Sequence, residues 1–273
     1  MTAARLSLLV STKGRGVQSV PTLLLPQRDD VAYVVVVQYD RPDELNEIPD
    51  VLRVRPDVTL VFQQGKGLSR SRNCAIAHCR TPYALLADDD MIYRESDIDN
   101  VIRTFHSHPE TDVFCFQILN ARAEPYKHYP KASFTYARRP YGYFFNSPEI
   151  GFRVQDSLPC FDERFGLGAP YLICGEEEVF LHDSCRKNRL QVDYYPVVAG
   201  RTTRPGTGQS RAGTPEFFRS KGAVLYQLHG AAGACLRMVK QALLSRSALS
   251  PIRSFKYMMQ GMLYIFRSCA SPS

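Results

Sequence analysis

Tyr83-Ala84-Leu85-Leu86-Ala87 runs directly into Asp88-Asp89-Asp90. The five apolar residues follow the turn-prone Thr81-Pro82, and their short, uncharged run predicts a buried strand. Three successive carboxylates at the end of such a strand repel one another and need water, hydrogen-bond donors or a cation to neutralise them. A hard divalent cation with oxygen ligands meets that need, and carboxylates that hold Mg²⁺ or Mn²⁺ commonly share it with substrate phosphates. In an open α/β sheet, ligands bind at the carboxyl ends of the strands, where these aspartates would sit. A solvated acidic turn with one Asp capping a helix would carry the same residues.

Reading outward, Leu6–Val10 is expected as a first strand, followed by the polar loop Ser11-Thr12-Lys13-Gly14. Val31–Gln38 is a nearly continuous β-branched run, the pattern of a strand buried on both faces of a parallel sheet. Val58–Phe62 and Asp112–Leu119 complete the strands of this half. A helix is expected between Gly67 and His78, capped by Ser69 or Ser71, with Cys74, Ala75 and His78 on one face. A second is expected after the aspartates, with Ser96 as N-cap, the stripe Ile98, Val101, Ile102 and Phe105, and Pro109 as its end. Strands alternating with helices imply an α/β sheet with right-handed crossovers.

Residues 120–170 are rich in Tyr, Phe, Arg, Pro and Gly and lack a clear period, which predicts irregular loops and a small sheet packed against the first half. Gly175–Asn188 is expected to be helical, Asp193–Val198 a strand, Gly200–Gly213 a mobile loop, and the chain from Thr214 onward helical and basic. The expected division is a domain over 1–230, with halves at about 1–119 and 120–230, followed by a basic amphipathic tail over 231–273.

The chain has 273 residues, 44% of them hydrophobic and 22% charged, which argues against disorder. Its net charge of +7 favours anionic partners such as nucleotide phosphates or an acidic membrane face. No long Lys/Arg tract is present, so no nucleic-acid partner is expected. The eight cysteines show no CxxC pair and read as mostly reduced, buried thiols of a cytoplasmic protein. The N-terminal apolar run is too short for a signal-peptide core, and nothing approaches the ~20 apolar residues of a membrane span.

Ser11-Thr12, Gln38-Tyr39-Asp40 and Asp88-Asp89-Asp90 all fall at expected strand ends, and Glu176-Glu177-Glu178 follows. With these go Gly67-Leu68-Ser69-Arg70-Ser71-Arg72-Asn73 and Phe161-Asp162-Glu163-Arg164-Phe165-Gly166. In this order the motifs resemble those of the family 2 glycosyltransferases, over about residues 5–200, and most nearly the bacterial branch that builds surface polysaccharide. The resemblance implies a GT-A fold: a Rossmann-like nucleotide-binding sheet flanked by helices, with a smaller acceptor-side region and here a helical C-terminal tail. It implies metal-dependent, inverting transfer of a sugar from a nucleoside diphosphate sugar, a UDP-sugar, to a hydroxyl of a growing glycan or lipid-linked acceptor.

By that resemblance Asp90 is the ligand of Mn²⁺ or Mg²⁺, and Asp88 and Asp89 hold ribose, diphosphate or metal-bound water, with the register of the three open by one residue. Asp40 would bond the nucleotide base, or serve as a turn residue beside Pro42. Ser11 and Thr12 would line the same pocket. Arg72 would pair with a phosphate, or lie exposed on its helix. Glu177 is the expected acceptor base, a Glu where relatives carry Asp, with Glu176 and Glu178 as alternatives; acids in a helix first turn also simply complement the macrodipole. His229 is more ordinary as a structural residue than as a ligand, and Cys174 as packing than as a nucleophile. Arg253–Arg267 has the composition of an interfacial helix on an anionic membrane, or of one packed on the domain or on a partner subunit. Two further readings share the sheet: a sugar nucleotidyltransferase, for which Lys13-Gly14-Arg15-Gly16 is a poor phosphate loop, and a non-catalytic sugar-nucleotide or glycan binder.

Overall fold

The computed structural model describes residues 5–204, 211–245 and 249–270. Its chain divides into two compact units: Met1–Lys66 with Arg70–Cys160 and Asp183–Pro205, and Gly67–Ser69 with Phe161–His182 and Gly206–Ser273.

The first unit is built on one nine-stranded mixed sheet. Its parallel part contains β1 (Leu6–Lys13), β2 (Val31–Tyr39), β3 (Val58–Gln64) and β4 (Tyr83–Asp88), in the order β3-β2-β1-β4. β5 (Met91–Ile92), β6 (Val113–Leu119), β8 (Ile150–Arg153) and β9 (Val192–Thr202) extend it as β8-β6-β9-β5 beyond β4, and β7 (Phe134–Thr135) pairs with β9. β2 is buried along nearly its whole length, as its β-branched run requires of a central strand. The helices are α1 (Asp50–Val54), α2 (Leu68–His78) and α3 (Glu95–Ser107), then α4 (Glu176–His182), α5 (Pro215–Leu244) and α6 (Pro251–Ala270).

Several expectations need correction. β1 runs through Lys13, so Ser11 and Thr12 belong to the strand: the parallel ladder pairs Thr12 with Val37 and Lys13 with Gln38, and polarity does not end a strand whose backbone bonds are met. α3 begins at Glu95 with Arg94 as its N-cap, two residues before the expected start. Ser96 therefore lies within the first turn, and the cap position makes no side-chain hydrogen bond. Its buried stripe Ile98, Val101, Ile102 and Phe105 is as expected. Ser69 and Ser71 lie inside α2, not at its cap. The expected small sheet in 120–170 is absent among the described residues. Instead β8 enters the main sheet antiparallel between β4 and β6. A Cβ on Gly151 would lie 2.9 Å from Phe105 and 3.0 Å from the Ala84 carbonyl, so only glycine fits this insertion. Gly200 to Thr202 are strand, and positions 205–210 of the expected loop lie outside the described residues. Of the seven cysteines with described side chains only Cys79 and Cys115 are buried; all seven are free thiols.

In the second unit, Thr214 caps α5 by accepting the Phe217 N–H at 3.3 Å. The helix kinks at Gly230, whose φ of 66° lies in the left-handed region. α5 and α6 cross at two glycines: a Cβ on Gly222 would lie 1.9 Å from the Met258 carbonyl oxygen, and one on Gly261 1.8 Å from that of Arg219. Gly261, a poor helix former, is thus what the close crossing requires. Gly261→Ala should force the backbones apart and cost about 3 kcal/mol, read as a lowered thermal midpoint. An unchanged midpoint would contradict the crossing.

Candidate active site

Parallel pairing places the carboxyl ends of β1 and β4 side by side, with Ser11 in register with Asp88. The aspartates occupy the end of β4 and the tight turn into β5, each half-buried. Thr12 Oγ1 donates to Asp89 Oδ2 at 2.6 Å. Behind it the short 3-10 turn Gly14–Gln18 passes so close that a Cβ on Gly16 would lie 2.2 Å from the same oxygen. The Asp90 backbone carbonyl accepts both Thr203 N–H, at 2.9 Å, and Thr203 Oγ1, at 3.0 Å, which ties the turn to the end of β9.

Burial pushes the Asp89 carboxyl upward, opposed by the Thr12 bond, with repulsion from Asp88 adding to the rise. Burial also raises Asp90, and Asp89 raises it further; the Thr202 hydroxyl and Arg204 act the other way. Both carboxyls are thus held above their ordinary range by burial first, with a neighbouring carboxylate adding to the rise. Among the described residues no group of three or more His, Cys, Asp or Glu is arranged to hold a metal ion. Mg²⁺ is usually held by one or two carboxylates plus phosphate oxygens and not by an all-protein cage, and the half-buried Asp89 and Asp90 carboxylates are the oxygen donors this turn offers.

Arg72 is 2% exposed on α2 and faces the triplet, not solvent. Its Nη2 donates to Ser147 Oγ at 2.5 Å and lies 3.7 Å from Asp88 Oδ1. Ser147 Oγ is in turn 3.5 Å from each Asp88 carboxylate oxygen. Ser71, on the same helix, donates to Ser11 Oγ at 2.9 Å. Ser11, Thr12, Arg72, Asp88, Asp89 and Asp90 are thus gathered at one end of the sheet. Asp40, just past β2, is exposed and takes the Lys13 ammonium at 2.8 Å. Pro42 beside it opens a 3-10 turn, so the turn reading also describes its setting.

Ser147, Gly16 and Thr202 were not anticipated. Ser147 had a legible signal: Asn146-Ser147-Pro148-Glu149 is a capping box, and the structure forms it. Glu149, fully buried, accepts Tyr129 Oη at 2.5 Å and Lys127 Nζ at 2.8 Å, which fixes the turn that presents Ser147. Burial raises the Glu149 carboxyl, and the nearby Lys127 ammonium opposes that rise.

The glutamates belong to the second unit, at the start of α4. The two motifs that precede and include them fold onto each other. Phe161 stacks on Phe180 with ring centroids 4.2 Å apart, and a Cβ on Gly166 (φ 106°) would lie 3.0 Å from the Glu176 carboxylate. Ser69 Oγ donates to the Phe165 carbonyl at 2.7 Å, which joins the start of α2 to this cluster. Glu176 is buried and Glu177 half-buried, while Glu178 faces Lys221 Nζ at 3.2 Å. The Cys174 thiol is pushed up to about 12 by burial, consistent with packing and not with a thiolate nucleophile.

The mixed sheet with carboxylates at the ends of its parallel strands is that of a GT-A glycosyltransferase. The chain belongs to glycosyl transferase family 2, whose sequence profile matches residues 20–161. A comparison with curated proteins gave no match. Among solved structures the chain is similar to S. aureus TarS. Residues 1–349 of that protein superpose with a TM-score of 0.52 at 14% identity, covering 97% of this chain and 72% of that one. The complex of TarS 1–349 with UDP-GlcNAc gives 0.53 at 15% identity, covering 97% and 73%. The complex with UDP gives the same score and identity, covering 98% and 72%. Against a longer TarS chain the match covers 44% of that chain.

Proposed function

We propose that this glycosyltransferase moves a sugar from a UDP-sugar to a hydroxyl of a growing glycan or lipid-linked acceptor, with inversion at the anomeric carbon. The observation that carries the reading is the gathering of Asp88, Asp89 and Asp90 with Thr12, Ser11 and Arg72 at the ends of β1 and β4. The complexes of TarS with UDP and UDP-GlcNAc support a uridine nucleotide as the donor's leaving group.

Asp90 is proposed as the protein ligand of Mn²⁺ or Mg²⁺. Such an ion, when bound, neutralises charge developing on the departing diphosphate. Asp88 and Asp89 hold the ribose, the diphosphate or water on the ion. Thr12 fixes the rotamer of Asp89, and Ser147 and Arg72 fix that of Asp88, so both carboxylates are set before the donor arrives. Arg72 is placed to offer its guanidinium fork to a phosphate oxygen. Asp40 contributes at the base end, with Lys13 holding its carboxylate.

Glu177 is proposed as the base that takes the proton from the acceptor hydroxyl, which then attacks the anomeric carbon as the C–O bond to the diphosphate breaks. Its motif position supports this, as does its partial exposure beside a buried Glu176 and a Glu178 that faces Lys221. The acceptor is assigned to surface-polysaccharide synthesis on the cytoplasmic side of a membrane. No described helix is long and apolar enough to cross a membrane.

The test is incubation with a panel of UDP-sugars and Mn²⁺, with release of UDP followed with and without candidate acceptors. Acceptor-dependent UDP release is expected from at least one donor. Pyrophosphate release from UTP and a sugar phosphate would instead indicate a nucleotidyltransferase, and donor binding without turnover a non-catalytic binder.

A further inference from the structure

The second half of α5 is apolar on two opposite sides. Ala234, Met238 and Ala242 are buried in a cluster with Met258 and Met262 of α6. Leu236, Val239 and Leu243, spaced i, i+3 and i+7 and hence on one face, are 76%, 48% and 69% exposed. α6 repeats the arrangement: Met258, Met262 and Ile265 are buried, while Ile252 and Phe266 are 82% and 54% exposed. Cations flank these residues, with Arg237 and Lys240 exposed on α5 and Arg253, Lys256 and Arg267 on α6. From Phe217 to Ser273 the sequence has eight Lys and Arg and no Asp or Glu, so these 57 residues carry more positive charge than the chain's net +7. Arg267 also borders an open groove of about 660 Å³ with Tyr171, Leu263 and Tyr264.

We propose that the exposed face of the second half of α5 docks on an anionic membrane surface. Leu236, Val239 and Leu243 would enter the boundary between headgroups and acyl chains. The flanking Lys and Arg would meet lipid phosphates. A second copy of this chain is a poorer occupant. A two-fold interface sets the same patch against itself, and here it would bring like charges together with no acid to balance them. The segment identified from sequence, Arg253–Arg267, spends one side of its helix on the crossing with α5.

Co-sedimentation of the full chain with vesicles tests this without donor or acceptor, so its outcome is independent of the glycosyl-transfer reading. The chain should pellet with vesicles of phosphatidylcholine plus phosphatidylglycerol, weakly with phosphatidylcholine alone, and less as salt is raised. Leu236→Gln with Val239→Gln and Leu243→Gln should lower binding about tenfold or more. Its thermal midpoint should be unchanged, because exposed substitutions outside special features cost little. Should that variant unfold, Arg237→Gln with Lys240→Gln leaves the apolar residues intact and should also bind less. The proposal is overturned by failure to pellet with anionic vesicles, or by equal pelleting with neutral ones. Variants that bind as well as the parent would also overturn it, as would a native dimer that the Leu/Val variant turns into monomer.

Discussion

Replacing Glu177 with glutamine should leave donor binding intact and slow transfer by about 10²- to 10⁴-fold, the usual contribution of a positioned general base. The amide keeps the size and hydrogen-bonding reach of the carboxylate but cannot take up the acceptor proton. The expected signature is a fall in kcat with unchanged affinity for UDP, since the substitution removes only the ability to take up the acceptor proton. Glu176 and Glu178 are the internal comparisons. Glu176 is buried against Gly166 and Ser69, and Glu178 faces Lys221, so their glutamine variants should perturb stability before chemistry. Transfer that survives unchanged in Glu177→Gln would move the base elsewhere.

Replacing Asp90 with alanine should remove metal-dependent transfer, a loss on the order of 10³-fold if the bound ion supplies several kcal/mol. The backbone should tolerate the change. The links from Thr203 to this turn run to the Asp90 carbonyl, which alanine retains, and removing the carboxylate relieves repulsion with Asp89. The variant should therefore be at least as stable as the parent without ligand, and should lose whatever part of UDP stabilisation depends on Mn²⁺. Full turnover in Asp90→Ala would sink the metal assignment.

Much of the sheet was legible because it is written in continuous apolar runs. Val31–Tyr39 could hardly be other than a central strand, and Tyr83–Ala87 ends in charge where the strand ends in a turn. β8 was not legible. It is four residues long, contains a glycine, and takes its place only because Phe105 and Phe116 leave room for no side chain at Gly151, a fact of packing between distant segments. The candidate site divides in the same way. The aspartates announce themselves by their mutual repulsion, whereas the sequence left Arg72 open to reading as an exposed helix cation, and its burial against Ser147 and Asp88 decides against that. Gly261, a poor helix former in isolation, is a contact point whose reason sits on α5.

The most direct test of the central claim is the thermal midpoint with UDP, GDP, CMP and ATP, each with Mn²⁺ and with EDTA. A ligand that binds only the folded state stabilises by RT ln(1 + [L]/Kd), about 2.7 kcal/mol at a hundred times Kd. A uridine-nucleotide site completed by the aspartates predicts a rise with UDP and Mn²⁺ that EDTA removes. A rise with ATP alone, or no rise with any nucleotide, would contradict it.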